Sequence, residues 1–267
     1  MSAASAGLAV LPASVDDIAA AGALARRLAL SLLPAGADTR RCDRVPVVLE
    51  VAGARLSLRR TGRGAPGPVA VDFGSAGMRH RRPAGHNDLL GRAVGVGRKS
   101  PLRVLDATAG LGRDSFVLAD LGCEVLLCER EPVMAAMLEW GLREAAASGD
   151  PWLCGVLRRM ELHAGDARDV SPQRLEAIDV IYLDPMFPAR DRRAGVKKEM
   201  ALFQRVMERD DGQDDAAALL QWARGTAAAR VVLKRPLRAG HLACQEPSHS
   251  IGGRAARFDV YVRRAQV

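Results

Sequence analysis

The stretch Val104-Leu105-Asp106-Ala107-Thr108-Ala109-Gly110-Leu111-Gly112-Arg113-Asp114 decides how the chain is read. Its apolar start, small central residues and two closely spaced glycines predict a buried strand, a tight turn and the opening of a helix. Gly110 and Gly112 have no side chain, so the backbone there can come close to a ligand. Asp106 falls at the carboxyl end of the strand, the edge at which open α/β sheets bind ligands.

Downstream of this turn, strands and helices alternate. The pattern predicts a helix over Asp88–Val94, a strand over Arg103–Ala109, a helix over Arg113–Leu121 and a second strand over Cys123–Glu129. A helix follows from Pro132, a residue favoured at helix starts, to about Ala147. Further strands are expected at Leu162–Ala164, Ile178–Leu183 and Arg230–Lys234. Strands separated by helices imply a parallel sheet with helices on both faces. The closing segments, Ser248–Gly253 and Phe258–Val262, read as an antiparallel pair.

Upstream, Ser14-Val15-Asp16-Asp17 resembles a capping box with Asp in its last place. Ile18, Leu24, Leu28 and Leu32 then recur at near-helical spacing until Pro34. Val47–Val51 and Arg55–Leu58 predict two strands joined through Ala52-Gly53-Ala54, and Val69–Phe73 predicts a third. Residues 1–85 are therefore expected to form a small α+β appendage, and residues 86–267 the α/β domain.

The formal net charge of +8 favours a polyanionic partner, of which nucleic acid is the commonest. The densest local positive cluster is Met78-Arg79-His80-Arg81-Arg82-Pro83-Ala84-Gly85-His86. It reads either as a solvated loop or as a set of guanidinium forks for phosphate oxygens. The five cysteines lack metal-ligand spacing and the histidines are dispersed, so no metal site is expected. No apolar run is long enough to span a bilayer, and Met1–Ala13 lacks a positively charged leading segment. A cytoplasmic location is the resulting expectation.

Gly110-Leu111-Gly112-Arg113-Asp114-Ser115 is nearly a dinucleotide fingerprint, with Ser at the third glycine. Glu129, ending the second strand, is placed to accept hydrogen bonds from ribose hydroxyls, which suits NAD and S-adenosylmethionine alike. The other acids separate the two. Asp106 would repel a pyrophosphate and attract the ammonium of a methionine moiety. Asp114, at the start of the next helix, would crowd a phosphate bound there. Asp166, after Gly165, can accept from an adenine amino group. Together these favour S-adenosylmethionine.

Leu183-Asp184-Pro185-Met186-Phe187-Pro188 closes the fourth strand. It resembles the Asp/Asn-Pro-Pro-Tyr/Phe motif of methyltransferases that modify exocyclic amines on bases. An aryl amine is a poor nucleophile because its lone pair is delocalised. Hydrogen bonds to an Asp carboxylate and a backbone carbonyl favour the pyramidal nitrogen that attacks a methyl group. In this reading Asp184 orients the amine, Pro185 stiffens the turn and Phe187 stacks on the base.

The resemblance then narrows. Asp106-Ala-Thr-Ala-Gly-Leu-Gly-Arg-Asp114, Glu129-Arg130-x-Pro132, Tyr182-Leu-Asp-Pro-Met-Phe-Pro188, Val196-Lys-Lys-Glu-Met200 and Lys234-Arg-Pro236 are together similar to the bacterial small-subunit ribosomal RNA guanine-N2 methyltransferases of the J type. This likeness implies a Rossmann-like, seven-stranded class I methyltransferase sheet and a cytoplasmic enzyme. It implies S-adenosylmethionine as cofactor and a guanine of 16S rRNA, free or in the small ribosomal subunit, as acceptor. Cofactor contacts are implied at Arg113, Asp114, Glu129, Arg130, Gly165, Asp166 and Asp184, beside Asp106, Gly110 and Gly112. Arg79, His80, Arg81, Arg82, Lys197 and Lys198 are expected to hold the RNA backbone. A DNA or small-molecule amino methyltransferase of the same fold is the alternative.

Overall fold

The computed structural model, which describes residues 7–42, 45–81, 88–97, 101–185, 212–253 and 256–263, opens on a strand that the sequence reading leaves unassigned. β1 (Leu8–Pro12) is buried at all five positions. It lies between β2 (Ser31–Leu32) and β3 (Val47–Ala52), parallel to both. A strand covered on both faces reads as a continuous apolar run without the alternation that would have marked it.

The predicted capping arrangement is present. Asp17 Oδ2 accepts from the Ser14 N–H at 3.0 Å and from the Ser14 hydroxyl at 2.7 Å. Its Oδ1 accepts from the Gly53 N–H at 2.8 Å, tying the start of α1 (Ile18–Leu28) to the turn that follows β3. The helix does not reach Leu32 as its spacing suggests. Ala29 adopts the left-handed conformation (φ 53°, ψ 40°), and the Leu30 N–H returns to the Ala25 carbonyl at 2.9 Å. This is a Schellman-type stop, and it releases Leu32 into β2.

β4 (Arg55–Arg60) and β5 (Val69–Ala70) continue this sheet by antiparallel pairing, giving the order β2-β1-β3-β4-β5. The described residues fall into two compact units. One takes the chain up to Asp72 together with Ala136–Ala147, and the other takes Phe73–Ala135 and the described residues from Ser148 onward.

The second unit begins with α2 (Ala76–Arg81) and α3 (Asp88–Val94). The first part of the basic cluster, Met78–Arg81, is thus helical, a conformation that neither of the two readings of the segment specified. There follow β6 (Arg103–Asp106), α4 (Arg113–Asp120), β7 (Glu124–Cys128) and α5 (Pro132–Ala147), whose residues from Ala136 belong to the first unit. α6 (Pro151–Leu157) was not foreseen, although its signal is local. Asp150 caps it by accepting from the N–H groups of Trp152 (2.9 Å) and Leu153 (3.3 Å), and Pro151 occupies the first turn. The unit continues with β8 (Met160–His163), α7 (Pro172–Glu176), β9 (Val180–Leu183), α8 (Gly212–Gly225), β10 (Arg230–Pro236), β11 (His249–Gly252) and β12 (Ala256–Val262).

The large sheet has the order β11-β12-β10-β9-β6-β7-β8. β8, β7, β6, β9 and β10 are parallel, and β12 runs antiparallel to both β10 and β11. The chain winds outward from β6 in one direction and resumes at β9 in the other. The switch between them opens a crevice at the carboxyl ends of β6 and β9. α8 covers one face with Ala216, Leu219, Leu220 and Ala223, a helical stripe buried beside Leu105, Ile181, Leu183, Val231 and Leu233. Each of those α8 leucines contributes about 1.5–3 kcal/mol by leaving water. Phe116 of α4 stacks on Phe73 (4.9 Å between ring centroids) and meets the Trp152 ring edge-on at 5.5 Å.

Candidate active site at the carboxyl edge of the large sheet

The turn after β6 is fixed to both neighbouring strands by its own backbone. The Ala107 N–H donates to the Tyr182 carbonyl of β9, and the Ala109 N–H to the Cys128 carbonyl of β7, each at 3.0 Å. Gly110 (φ 55°) and Gly112 (φ 71°) occupy the left-handed region, which a side chain at either position would strain. Asp106 is 1% exposed. Its Oδ1 accepts from the Thr108 N–H at 3.1 Å, and its Oδ2 takes a short hydrogen bond from the Ser115 hydroxyl. Burial pushes the Asp106 carboxyl up to about 7, against the lowering effect of those two donors. Ser115, in the place of the third glycine, therefore serves the acid that opens the turn.

Glu129 sits just past β7 and is buried. Its Oε2 accepts from the Gly110 N–H at 2.7 Å and its Oε1 from the Glu131 N–H at 2.8 Å. Burial raises its pKa, and the two backbone donors work against that rise.

Past β8, Gly165 packs so closely on His163 that a Cβ would lie 2.9 Å from its Nε2. Asp166 accepts from the Arg168 backbone N–H (2.9 Å) and from both ends of its guanidinium fork (2.8 and 2.6 Å). Arg130 pairs with Asp215 at 2.7 Å and lies 3.8 Å from Asp166.

At the end of β9 the Asp184 N–H donates to Thr108 Oγ1 at 2.6 Å, linking the later loop to the glycine turn. Lys234 Nζ, from β10, donates to Asp184 Oδ2 (2.8 Å) and to Asp114 Oδ2 (2.6 Å). The Tyr182 hydroxyl donates to the same Asp114 oxygen at 2.6 Å. Burial acts to lower the Lys234 pKa, but Asp184 and Asp114 outweigh it and hold the ammonium above its usual value. Tyr182 is raised well above its ordinary pKa by burial and then by Asp114, so it acts as a neutral donor.

The family model described as "Putative SAM-dependent methyltransferase" matches residues 36–263. Over 254 residues the chain is 49% identical to the ribosomal RNA small subunit methyltransferase J of Thioalkalivibrio sulfidiphilus, covering 94% of this chain and 95% of that protein. The same enzyme of Pseudomonas aeruginosa is 44% identical over 256 residues, covering 94% and 93%. The chain belongs to the ribosomal RNA small subunit methyltransferase J family.

The fold agrees with the family. The crystal structure of a SAM-dependent methyltransferase from Neisseria gonorrhoeae superposes with a TM-score of 0.70 at 34% identity, covering 95% of each chain. The chain is thus a SAM-dependent methyltransferase with the seven-stranded sheet expected for that class. The site also fits the cofactor on its own chemistry. Acids stand at or just past the ends of β6, β7, β8 and β9, around a turn whose Gly110 and Gly112 lack a Cβ. Beside them His163 Nε2 is buried with no hydrogen-bond partner among the described residues.

The sequence-derived residues divide into three groups. Asp106, Gly110, Glu129, Asp114 and Asp184 are joined through the glycine turn and Lys234, with Gly112 and Arg113 at the start of α4. Arg130 and Asp166 form a separate cluster with Arg168 and Asp215. Arg79 and His80 lie on α2. There the Arg79 guanidinium pairs with Asp150 (2.5 Å), donates to the Gly74 carbonyl (3.0 Å) and lies 5.2 Å from the centre of the Trp152 ring. Pro185 follows Asp184 directly, whereas Arg82, Phe187, Lys197, Lys198 and the Arg81 side chain lie outside the described residues. Two participants were missed, Lys234 and Tyr182. The available signal was a lysine following the buried Val231-Val232-Leu233 of β10.

Proposed function

We propose that this methyltransferase transfers a methyl group to the exocyclic 2-amino group of a guanine in 16S rRNA, presented as RNA or within the small ribosomal subunit. The observation that supports it most is the Lys234 bridge, which brings the acid of the Asp184-Pro185 loop to the acid that starts α4. The relatives named ribosomal RNA small subunit methyltransferase J support the acceptor class.

In this reading Asp106, Gly110, Gly112, Arg113, Asp114, Glu129, Arg130, Gly165 and Asp166 hold S-adenosylmethionine, with Asp184 at its reacting end. When bound, the cofactor supplies a methyl group on a sulfonium, so the protein needs no covalent nucleophile. Asp184 accepts a hydrogen bond from the guanine amine and, with a neighbouring carbonyl, favours the pyramidal nitrogen. Lys234 holds the Asp184 carboxylate in place, and Pro185 limits the motion of its loop. Phe187 stacks on the base. Arg79, His80, Arg81, Arg82, Lys197 and Lys198 are the proposed contacts to the RNA backbone, with Arg79 also serving α6. Residues 1–85 act as an appendage to a catalytic domain of 86–267.

No described helix is long and apolar enough to cross a membrane. We place the enzyme in the cytoplasm, where its substrate is made. The deciding experiment is mass mapping of methylated guanines in ribosomal RNA from cells with and without the gene. One 16S guanine that loses its N2-methyl on deletion is expected. An unchanged 16S map, or labelled methyl entering duplex DNA in place of undermethylated ribosomal RNA, overturns the reading.

A further inference from the structure

A cavity of about 590 Å³ lies within the N-terminal unit, well supplied with guanidinium groups. Arg40, Arg41, Arg59, Arg60 and Arg63 line it, against one carboxylate among the described lining residues, that of Asp38. Its walls are the end of β4 and two loops that the backbone draws together. The Gly62 N–H donates to the Thr39 carbonyl at 2.9 Å, the Thr61 N–H to the Pro46 carbonyl at 3.0 Å, and the Thr61 hydroxyl to the Val45 carbonyl at 2.5 Å. The arginines are thus gathered by a folded scaffold.

Not all five are equally available. Arg59 donates twice to Glu50 Oε2, at 3.0 and 2.7 Å, and so is held by the sheet. Arg41 lies 3.6 Å from Asp38 in a largely exposed pair, which constrains it little. Arg40, Arg60 and Arg63 have no carboxylate partner among the described residues, and Arg40 and Arg63 are exposed. Gathering like charges in one concavity costs free energy that a bound polyanion would offset.

The lining also limits what that polyanion is. Small-molecule pockets of this volume are mostly apolar with a few polar groups, and this one is mostly charged. Its described lining includes no aromatic residue on which a base could stack. Guanidinium forks match phosphate oxygens bidentately. Gly62, Gly64 and Gly67 present no side chain, and a Cβ placed on any of them would meet nothing within 4 Å.

We propose that this arginine-lined cavity binds the sugar–phosphate backbone of the ribosomal RNA substrate, gripping RNA by charge and shape without reading its sequence. The inference rests on the rRNA methyltransferase reading above. It adds residues of the N-terminal unit to the RNA contacts proposed above.

The test is a triple variant, Arg40→Gln with Arg41→Gln and Arg63→Gln, beside a triple Lys control that keeps the charge. Anisotropy measures binding of labelled undermethylated 16S rRNA at several salt concentrations, calorimetry measures S-adenosylmethionine binding, and steady-state kinetics gives KM and kcat. The Gln variant is expected to bind RNA about tenfold or more weakly. The slope of log K against log salt should shrink by about two, since each lost phosphate contact removes roughly 0.7–0.9 from it. KM for RNA should rise with kcat and cofactor affinity preserved, and the Lys control should recover most of the binding. Wild-type RNA affinity and salt slope in the Gln variant overturn the proposal while leaving the methyltransferase reading intact. A wild-type enzyme that binds cofactor yet neither binds nor methylates ribosomal RNA overturns both.

Discussion

Lys234 Nζ lies 2.8 Å from Asp184 Oδ2, so a side chain from β10 fixes the acid that closes β9. The same ammonium reaches Asp114 at 2.6 Å. Removing it leaves two carboxylates without their shared cation. Lys234→Met is expected to destabilise the fold by about 1–3 kcal/mol, less than a fully buried pair because the site is part-exposed. Methyl transfer should fall more steeply than stability. Denaturant midpoints together with kcat separate the two effects, and unchanged turnover would show that Lys234 does not position Asp184.

Asp184→Ala should keep the fold while kcat falls by about 10²–10³, the usual scale for losing one hydrogen-bonding group at a reacting centre. Circular dichroism and single-turnover methylation of undermethylated rRNA provide the check. Near-normal turnover would sink the proposed role.

Asp106 gives a pH signature. Its carboxyl is raised from an ordinary value of 3.8 to about 7 by burial. An acid whose folded pKa exceeds its unfolded one takes up a proton on folding between the two values. Its contribution therefore lowers stability as pH rises from about 4 to about 7, with a slope of up to about 1.4 kcal/mol per pH unit. Asp106→Asn should remove that slope, read from denaturation midpoints across this range. A pH dependence identical to wild type would contradict it.

Gly141 tests packing against helix propensity. It lies inside α5, where Ala normally stabilises a helix by about 1 kcal/mol over Gly. A Cβ there would lie 2.3 Å from Val71 Cγ1 and 3.0 Å from the Val71 carbonyl oxygen. Overpacking of this kind costs about 1–3 kcal/mol, so Gly141→Ala should lower the thermal midpoint. A stabilised variant would mean that the helix can move aside.

The middle of the large sheet was legible because β6, β7, β9 and β10 carry short runs of buried apolar residues, and the acids of the candidate site stand at or near the ends of such strands. β1 was not, since Leu8–Pro12 is buried on both faces and carries no alternation. Leu32 keeps helical spacing although Ala29 has already turned the chain, because a left-handed alanine leaves no mark in composition. Lys234 was quoted without a role because its partners lie 50 and 120 residues away. The stacking of Arg79 on Trp152 was hidden in the same way, behind a local charge run.

Thr108 is held from two directions. Its N–H bonds the acid that opens the glycine turn, and its hydroxyl accepts the N–H of Asp184. A change of occupancy on one side that shifts this residue alters the free energy of binding on the other. Thermodynamic reciprocity makes the factor equal in both directions. In the proposed reading, donor and acceptor sites joined through one threonine would act as linked equilibria. Thr108→Val, nearly isosteric but lacking the hydroxyl, would remove that hydrogen-bonded route of linkage.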